Sequence, residues 1–226
     1  MFIDSYYLLL VVPTLILSMF AQILVKSTFS KYSRINCSRN ITGRDAAALM
    51  MQKNNISDVG VEGVRGSLTD HYDPRSKKLR LSEPVYAQPS IAAVGVAAHE
   101  AGHAIQHARG YGPLVLRSTL VPVANLGSSF GPWLAMAGLI FQVDLLLDIG
   151  ILLFGGAVLF YLITLPVEFN ASGRALRILR DENVLTADEL AGAKKVLTAA
   201  ALTYVASAMT ALMSLLRLLL IRGRRR

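Results

Sequence analysis

The segment His99-Glu100-Ala101-Gly102-His103 holds the residue types best able to do chemistry in this 226-residue chain. On a helix, histidines at i and i+4 leave one face about 6 Å apart, so two imidazole nitrogens can converge on one metal ion at about 2.0 to 2.1 Å. Glu100, offset by one residue, reaches a metal-bound water rather than the metal itself. That is the arrangement zinc needs to acidify and orient water while a carboxylate takes its proton. Three of the chain's four histidines fall within nine residues of one another, which argues against an ordinary pair of surface or core histidines. His107 continues the i+4 series but sits a further turn away, too distant to close a tetrahedron, and is expected behind a ligand or on the helix surface. Gln106 and Arg109 stand where a metzincin needs Gly and His, so that class is excluded.

A third protein ligand must come from elsewhere, and Glu168 fits best. It directly follows an apolar run, in Pro166-Val167-Glu168-Phe169-Asn170-Ala171-Ser172-Gly173-Arg174-Ala175. If this stretch is helical, Glu168, Ala171, Ser172 and Ala175 share a face whose small residues let the active-site helix approach closely. An interfacial glutamate at a helix end is commoner than a ligand, but an acid at the hydrocarbon boundary is expensive without a partner. The tetrahedral oxyanion of an attacked peptide carbonyl needs a further donor; His71, Tyr72 and Arg174 are candidates. Each also has an ordinary reading: His71 and Tyr72 as turn residues, Arg174 as one of several arginines on one membrane face.

These groups need a rigid frame. Thr42-Gly-Arg-Asp45 has the form of a capping box and opens a helix through Met51, ended by Asn54 and Asn55. Val59 to Thr69, the polar turn beginning at His71-Tyr72-Asp73-Pro74, and Leu79 to Ser82 read as a β-hairpin. Pro89-Ser90 then starts a long alanine-rich helix, Ile91 to Arg109, closed by Gly110. Leu79 to Ser82 is a candidate exposed strand on which an extended peptide could pair through its main chain.

The chain is 53% hydrophobic and 17% charged, with a mean hydropathy of +0.46, too apolar for water to be its only solvent. Apolar runs at 5–25, 120–143, 145–167 and 196–221 supply the membrane segments, each close to the ~20 residues a crossing helix requires. No Lys or Arg precedes the first run, so it reads as an uncleaved anchor rather than a signal peptide. The second and third runs form a hairpin with an acidic turn at Asp144 and Asp148. His99 and His103 precede this hairpin and Glu168 follows it, so they can meet if the chain crosses twice between them. The expected architecture is a mainly α membrane protein. Three or four transmembrane helices carry a small α+β zincin-like catalytic module, all within one integral-membrane domain, 1–226. The module occupies 26–118 and the third-ligand helix and connector 168–195.

The net charge is +8 and the pI near 9.8. No aromatic-basic RNP pattern or zinc finger accompanies it, so nucleic-acid binding is not expected. Thirteen of the 23 basic residues lie between Lys26 and Arg117, five between Arg174 and Lys195, and five from Arg217 onward. The positive-inside rule places the first two groups in the cytoplasm and the turn near Asp144 outside. Four full crossings would put the arginine tail outside, against the same rule. The single cysteine, Cys37, excludes an intrachain disulfide.

Asp70-His71-Tyr72-Asp73-Pro74, Leu81-Ser82, Ala92 through Gln106 with its His-Glu-x-x-His, and Leu165-Pro166-Val167-Glu168-Phe169-Asn170-Ala171-Ser172 resemble the YugP-like family of neutral zinc metallopeptidases of bacterial membranes. The likeness covers nearly the whole chain, hydrophobic spacing included. It implies a gluzincin-type endopeptidase with one Zn2+, His99, His103 and Glu168 as ligands, and Glu100 as base. Together with the positive-inside placement, the expectation is a multi-pass protein of the bacterial inner membrane, acting from the cytoplasmic side on peptide or membrane-protein substrates. A more distant likeness is to HtpX-type membrane peptidases, in which an aspartate stands where this chain has Ser172. The carboxylate that would fix a ligand histidine there is therefore absent. Two other classes compete with a peptidase: a catalytically inactive zinc-binding scaffold, which would not need Glu100, and a chaperone or insertase, which would hold no metal.

Overall fold

Ser90 caps the helix that carries the His-Glu-x-x-His segment, its hydroxyl accepting from the Ala93 N–H at 3.2 Å, and Gly110 at φ +60° follows its last turn. This helix, α4, spans Ile91–Ala108 and is buried on nearly every side, which its alanines and glycines permit. A computed structural model describes residues 4–225. Before α4 come α1 (Val12–Tyr32, entered through a π-helical turn, Tyr7–Val11), α2 (Gly43–Lys53), three strands and the short α3 (Glu83–Tyr86). After it come three long helices: α5 (Gly112–Ile140), α6 (Asp144–Asp181) and α7 (Ala187–Gly223). The expected cap of α2 is present, with Thr42 Oγ1 accepting from the Asp45 N–H.

The strands are β1 (Gly60–Val64), β2 (His71–Asp73) and β3 (Lys78–Ser82), in the order β1-β3-β2. The hairpin is β2 with β3, antiparallel with Tyr72 opposite Leu79, not Val59 to Thr69 with Leu79 to Ser82 as expected: β1 pairs parallel with β3, Val61 opposite Leu79, and His71 to Asp73 is a strand rather than the lead into the turn. This corrects a second expectation. β3 is the central strand, paired on both sides, so Leu79 to Ser82 is not an exposed edge for substrate; the edges are β1 and β2.

The chain divides into two compact units. One comprises residues 23–114 and 167–201 and contains α2, α3, the sheet and α4. Its core gathers Met50, Leu79, Leu81, Val85, Val94, Ile105, Leu179 and Val184. The other comprises 4–22, 115–166 and 202–225. There Gly127, Gly131 and Gly138 of α5 meet the main chain of α6: a Cβ on Gly127 would stand 2.1 Å from the Leu153 carbonyl oxygen. Small residues permit this approach, and Ala135, Leu147, Phe154 and Ala157 fill the contact.

Among the described residues, three helices are long and apolar enough to cross a membrane by length and composition: Tyr7–Tyr32, α6 and α7. The number is the lower end of the three or four expected, but the set differs: α7, the segment held in doubt, is among them, and the expected span 120–143 is not. The run expected at 120–143 is helical within α5, but Pro122, Asn125, Ser128, Ser129 and Pro132 dilute its hydropathy. In the same unit the C-terminal arginines lie with the acidic groups. Arg217 holds Asp4 at 2.7 Å, and Arg222 holds Asp148 at 2.7 Å and Asp144 at 3.5 Å. Arg217 keeps the Asp4 carboxyl below its ordinary pKa, against a partial burial that would raise it.

Candidate metal centre

α4 and α6 touch main chain to main chain at Gly102, where an added Cβ would stand 2.7 Å from the Ala171 carbonyl oxygen. Val167, Ala171, Ala175 and Leu179, spaced at i+4 along α6, are all fully buried along this stripe. Glu168 follows Val167 and is 2% exposed. The sequence places it there because alanine and glycine at the crossing leave no side chain between the helices.

The approach brings three groups together. His99 Nε2 lies 3.2 Å from Glu168 Oε2 and His103 Nε2 lies 3.6 Å from the same oxygen. One ligand atom from each of the three residues lies within 4.8 Å of the others. The edge of a tetrahedron around a zinc ion with bonds of about 2.0 to 2.1 Å is about 3.3 Å. Two imidazole nitrogens and a carboxylate oxygen at this spacing fit that ion in chemistry and size.

Each histidine is also held from behind. His99 Nδ1 lies 3.0 Å from Ser172 Oγ, and His103 Nδ1 lies 3.0 Å from Gln106 Oε1. The hydroxyl of Ser172 thus partners His99 at the position where the carboxylate is absent. No contact of Gln106 with a ligand histidine was expected from the sequence. Its position at i+3 from His103 was the available signal, because i+3 neighbours share a helical face. Burial disfavours the His103 imidazolium, but the Glu168 carboxylate, aided by Glu100, outweighs it and raises the pKa above the ordinary histidine value.

Glu100 is 8% exposed, on α4 beside the ligand pair. Asp70, at the start of β2, accepts from the Ser82 N–H at 2.7 Å and the Ser82 hydroxyl at 3.0 Å, which ties the hairpin together. Burial pushes the Asp70 carboxyl up, more than the Ser82 hydrogen bonds lower it, and the Glu100 charge adds to the rise. The three oxyanion candidates lie outside the trio. Tyr72 Oη is 2.8 Å from His107 Nδ1, joining β2 to α4 one turn beyond His103, and His107 is exposed. Arg174 Nε donates to Asn170 Oδ1 at 2.7 Å, and its guanidinium stands over the Tyr111 ring. His71 is exposed with Nδ1 against the Thr69 carbonyl.

With this geometry in hand, similarity to known proteins becomes informative. The model of a family described as "Putative neutral zinc metallopeptidase" matches residues 7–223. Over 215 residues the chain is 49% identical to the "Putative membrane protease YugP" of Bacillus subtilis (strain 168), covering 95% of this chain and 96% of that one. No solved structure matches.

Proposed function

This chain belongs to the family described as "Putative neutral zinc metallopeptidase", and we propose that it is a zinc-dependent membrane endopeptidase in which Glu100 is the general base. The observation that carries the reading is the convergence of His99, His103 and Glu168, with both imidazole Nε2 atoms 3.2 and 3.6 Å from Glu168 Oε2, close to the edge of a zinc tetrahedron. One zinc ion bound there supplies the Lewis acidity that makes water a nucleophile near neutral pH.

The chain's own residues do the rest. His99, His103 and Glu168 would hold the ion. Glu100 takes a proton from the water that attacks the peptide carbonyl carbon. As the C–N bond breaks, Glu100 returns that proton to the leaving amine. Tyr72 and Arg174, held by His107 and Asn170, are the donors assigned to the developing oxyanion. β2 is an edge strand joined to α4 through Tyr72, so an extended peptide can add to it through main-chain hydrogen bonds. The substrates are peptide segments of membrane or membrane-proximal proteins, and nucleic acid has no part.

The protein sits in the bacterial inner membrane with this site on the cytoplasmic side, where 18 of the 23 basic residues then lie. Arg217 and Arg222, at the start of the arginine tail, are ion-paired with Asp4, Asp144 and Asp148, which eases that orientation. The test is Glu100→Gln in the purified full-length protein. Cleavage is expected to fall about 10²- to 10⁴-fold with zinc content unchanged. Undiminished cleavage overturns the mechanism, and a wild type that binds zinc without cleaving any peptide is the result an inactive scaffold would give.

A further inference from the structure

Behind His103 lies a chain of polar groups that the peptidase chemistry does not itself require. Gln106 Oε1 lies 3.0 Å from His103 Nδ1. Gln106 Nε2 donates to the Val167 carbonyl at 2.8 Å and to Asn170 Oδ1 at 3.0 Å. Asn170 Oδ1 also accepts from Arg174 Nε at 2.7 Å. Gln106 is 0% exposed and Asn170 half-buried, so the links nearest the histidine are shielded from water.

The hydrogen-bond directions in this chain are forced. A guanidinium can only donate, so the Asn170 atom facing Arg174 is its oxygen. A main-chain carbonyl can only accept, so the Gln106 atom facing Val167 is its nitrogen. Both ends therefore orient the Gln106 amide the same way, with its oxygen toward His103. An oxygen there demands a hydrogen on His103 Nδ1, and a neutral imidazole protonated at Nδ1 presents its lone pair at Nε2, the atom facing Glu168. His99 differs, because the Ser172 hydroxyl beside its Nδ1 can donate or accept and enforces neither tautomer.

We propose that Gln106 and Asn170, anchored by Arg174 and the Val167 carbonyl, are positioning residues that hold a hydrogen on His103 Nδ1, so that the neutral ring offers Nε2 to a metal. The metal side of this assignment rests on the zinc-peptidase reading, but the tautomer does not. On this account Arg174 serves the site through Asn170 as well as through any contact with substrate.

The test uses the full-length protein in detergent with ¹⁵N-labelled imidazoles, a tractable spectrum for four histidines. In metal-free wild type at alkaline pH, His103 is expected as the Nδ1–H tautomer, a preference lost in Gln106→Met. Zinc affinity, read by chelator competition, is expected to fall about 10- to 100-fold in Gln106→Met. Should that variant fail to fold, the Asn170 pair decides. Asn170→Asp keeps the oxygen that receives both donors and should bind zinc close to wild type, whereas Asn170→Leu should lose affinity about 10-fold. An Nε2–H tautomer at His103 in the wild type overturns the proposal even if zinc binds tightly. Equal zinc affinity in the two Asn170 variants also overturns it. The Nδ1–H tautomer in a wild type that binds no zinc supports the positioning chain while sinking the peptidase reading.

Discussion

α6 is crowded by a neighbouring helix in both compact units, and the two contacts use the same device for different ends. In one unit Gly127, Gly131 and Gly138 of α5 lie against its main chain, and what they bury between the helices is Ala135, Leu147, Phe154 and Ala157. In the other, Gly102 of α4 lies against Ala171, and what is buried beside it is Glu168 facing two histidines. Close approach through small residues is common in helical membrane proteins and carries no function by itself. The difference lies in the polar groups. Burying a carboxylate is costly unless it is partnered, and Glu168 has partners whose atoms are spaced for a metal.

The sharpest way to break this contrast is to add one methyl group to each contact. Gly102→Ala must push α4 from α6, since the new Cβ meets backbone at 2.7 Å, and such overpacking costs about 1 to 3 kcal/mol. Because that displacement acts directly on the ligand set, zinc affinity is expected to drop at least 10- to 100-fold, measured by chelator competition. Gly127→Ala meets backbone even closer, at 2.1 Å, and should lower Tm while the folded protein binds zinc as the wild type does. Equal effects of the two substitutions on zinc would erase the distinction between the contacts. Gly173→Ala, with nothing within 4 Å of the added Cβ, serves as the neutral control.

A smaller effect sharpens the picture within the site. Ser172→Ala removes the partner of His99 Nδ1 but leaves the His103 side intact. Zinc affinity is expected to fall about 10-fold, at the low end for such partners, because a hydroxyl fixes the ring less firmly than a directed amide. A loss larger than that of Gln106→Met would reverse the ranking of the two histidines.

The smallest effect concerns the hairpin beside Glu100. Burial raises the Asp70 carboxyl above its ordinary value of 3.8, so the folded state holds this proton more tightly than the unfolded state. The contribution of Asp70 to stability should therefore decline as pH rises from about 3.8 through its folded pKa. Asp70→Asn keeps an acceptor for Ser82 and lacks the charge. Its Tm should match wild type near pH 3.8 and gain on it at higher pH. A difference in Tm that does not vary with pH would remove Asp70 from this role.

The sequence was informative wherever a signal is local. The caps at Thr42 and Ser90, the span of α4 and the face of α6 bearing Glu168 follow from short-range spacing and side-chain chemistry, and the structure has them. The parallel pairing of β1 with β3 was not legible, because strand order depends on contacts across a loop and leaves no mark on alternation. It is this pairing that makes β3 central and moves the available edge to β2. The partners of the ligand histidines were hidden for a related reason. Ser172 and Gln106 acquire their roles only once Gly102 lets α4 and α6 meet, and neither residue type announces that role by itself. The pairing of Asp4 with Arg217 joins residues at opposite ends of the chain, beyond the reach of any motif.

The claim that α4 and α6 together build a zinc site is tested most directly by an anomalous-scattering map from crystals of the full-length protein grown with zinc. The account predicts one strong peak per chain between His99, His103 and Glu168, lost in Glu168→Gln. A peak elsewhere, no peak, or an unchanged peak in Glu168→Gln would contradict it.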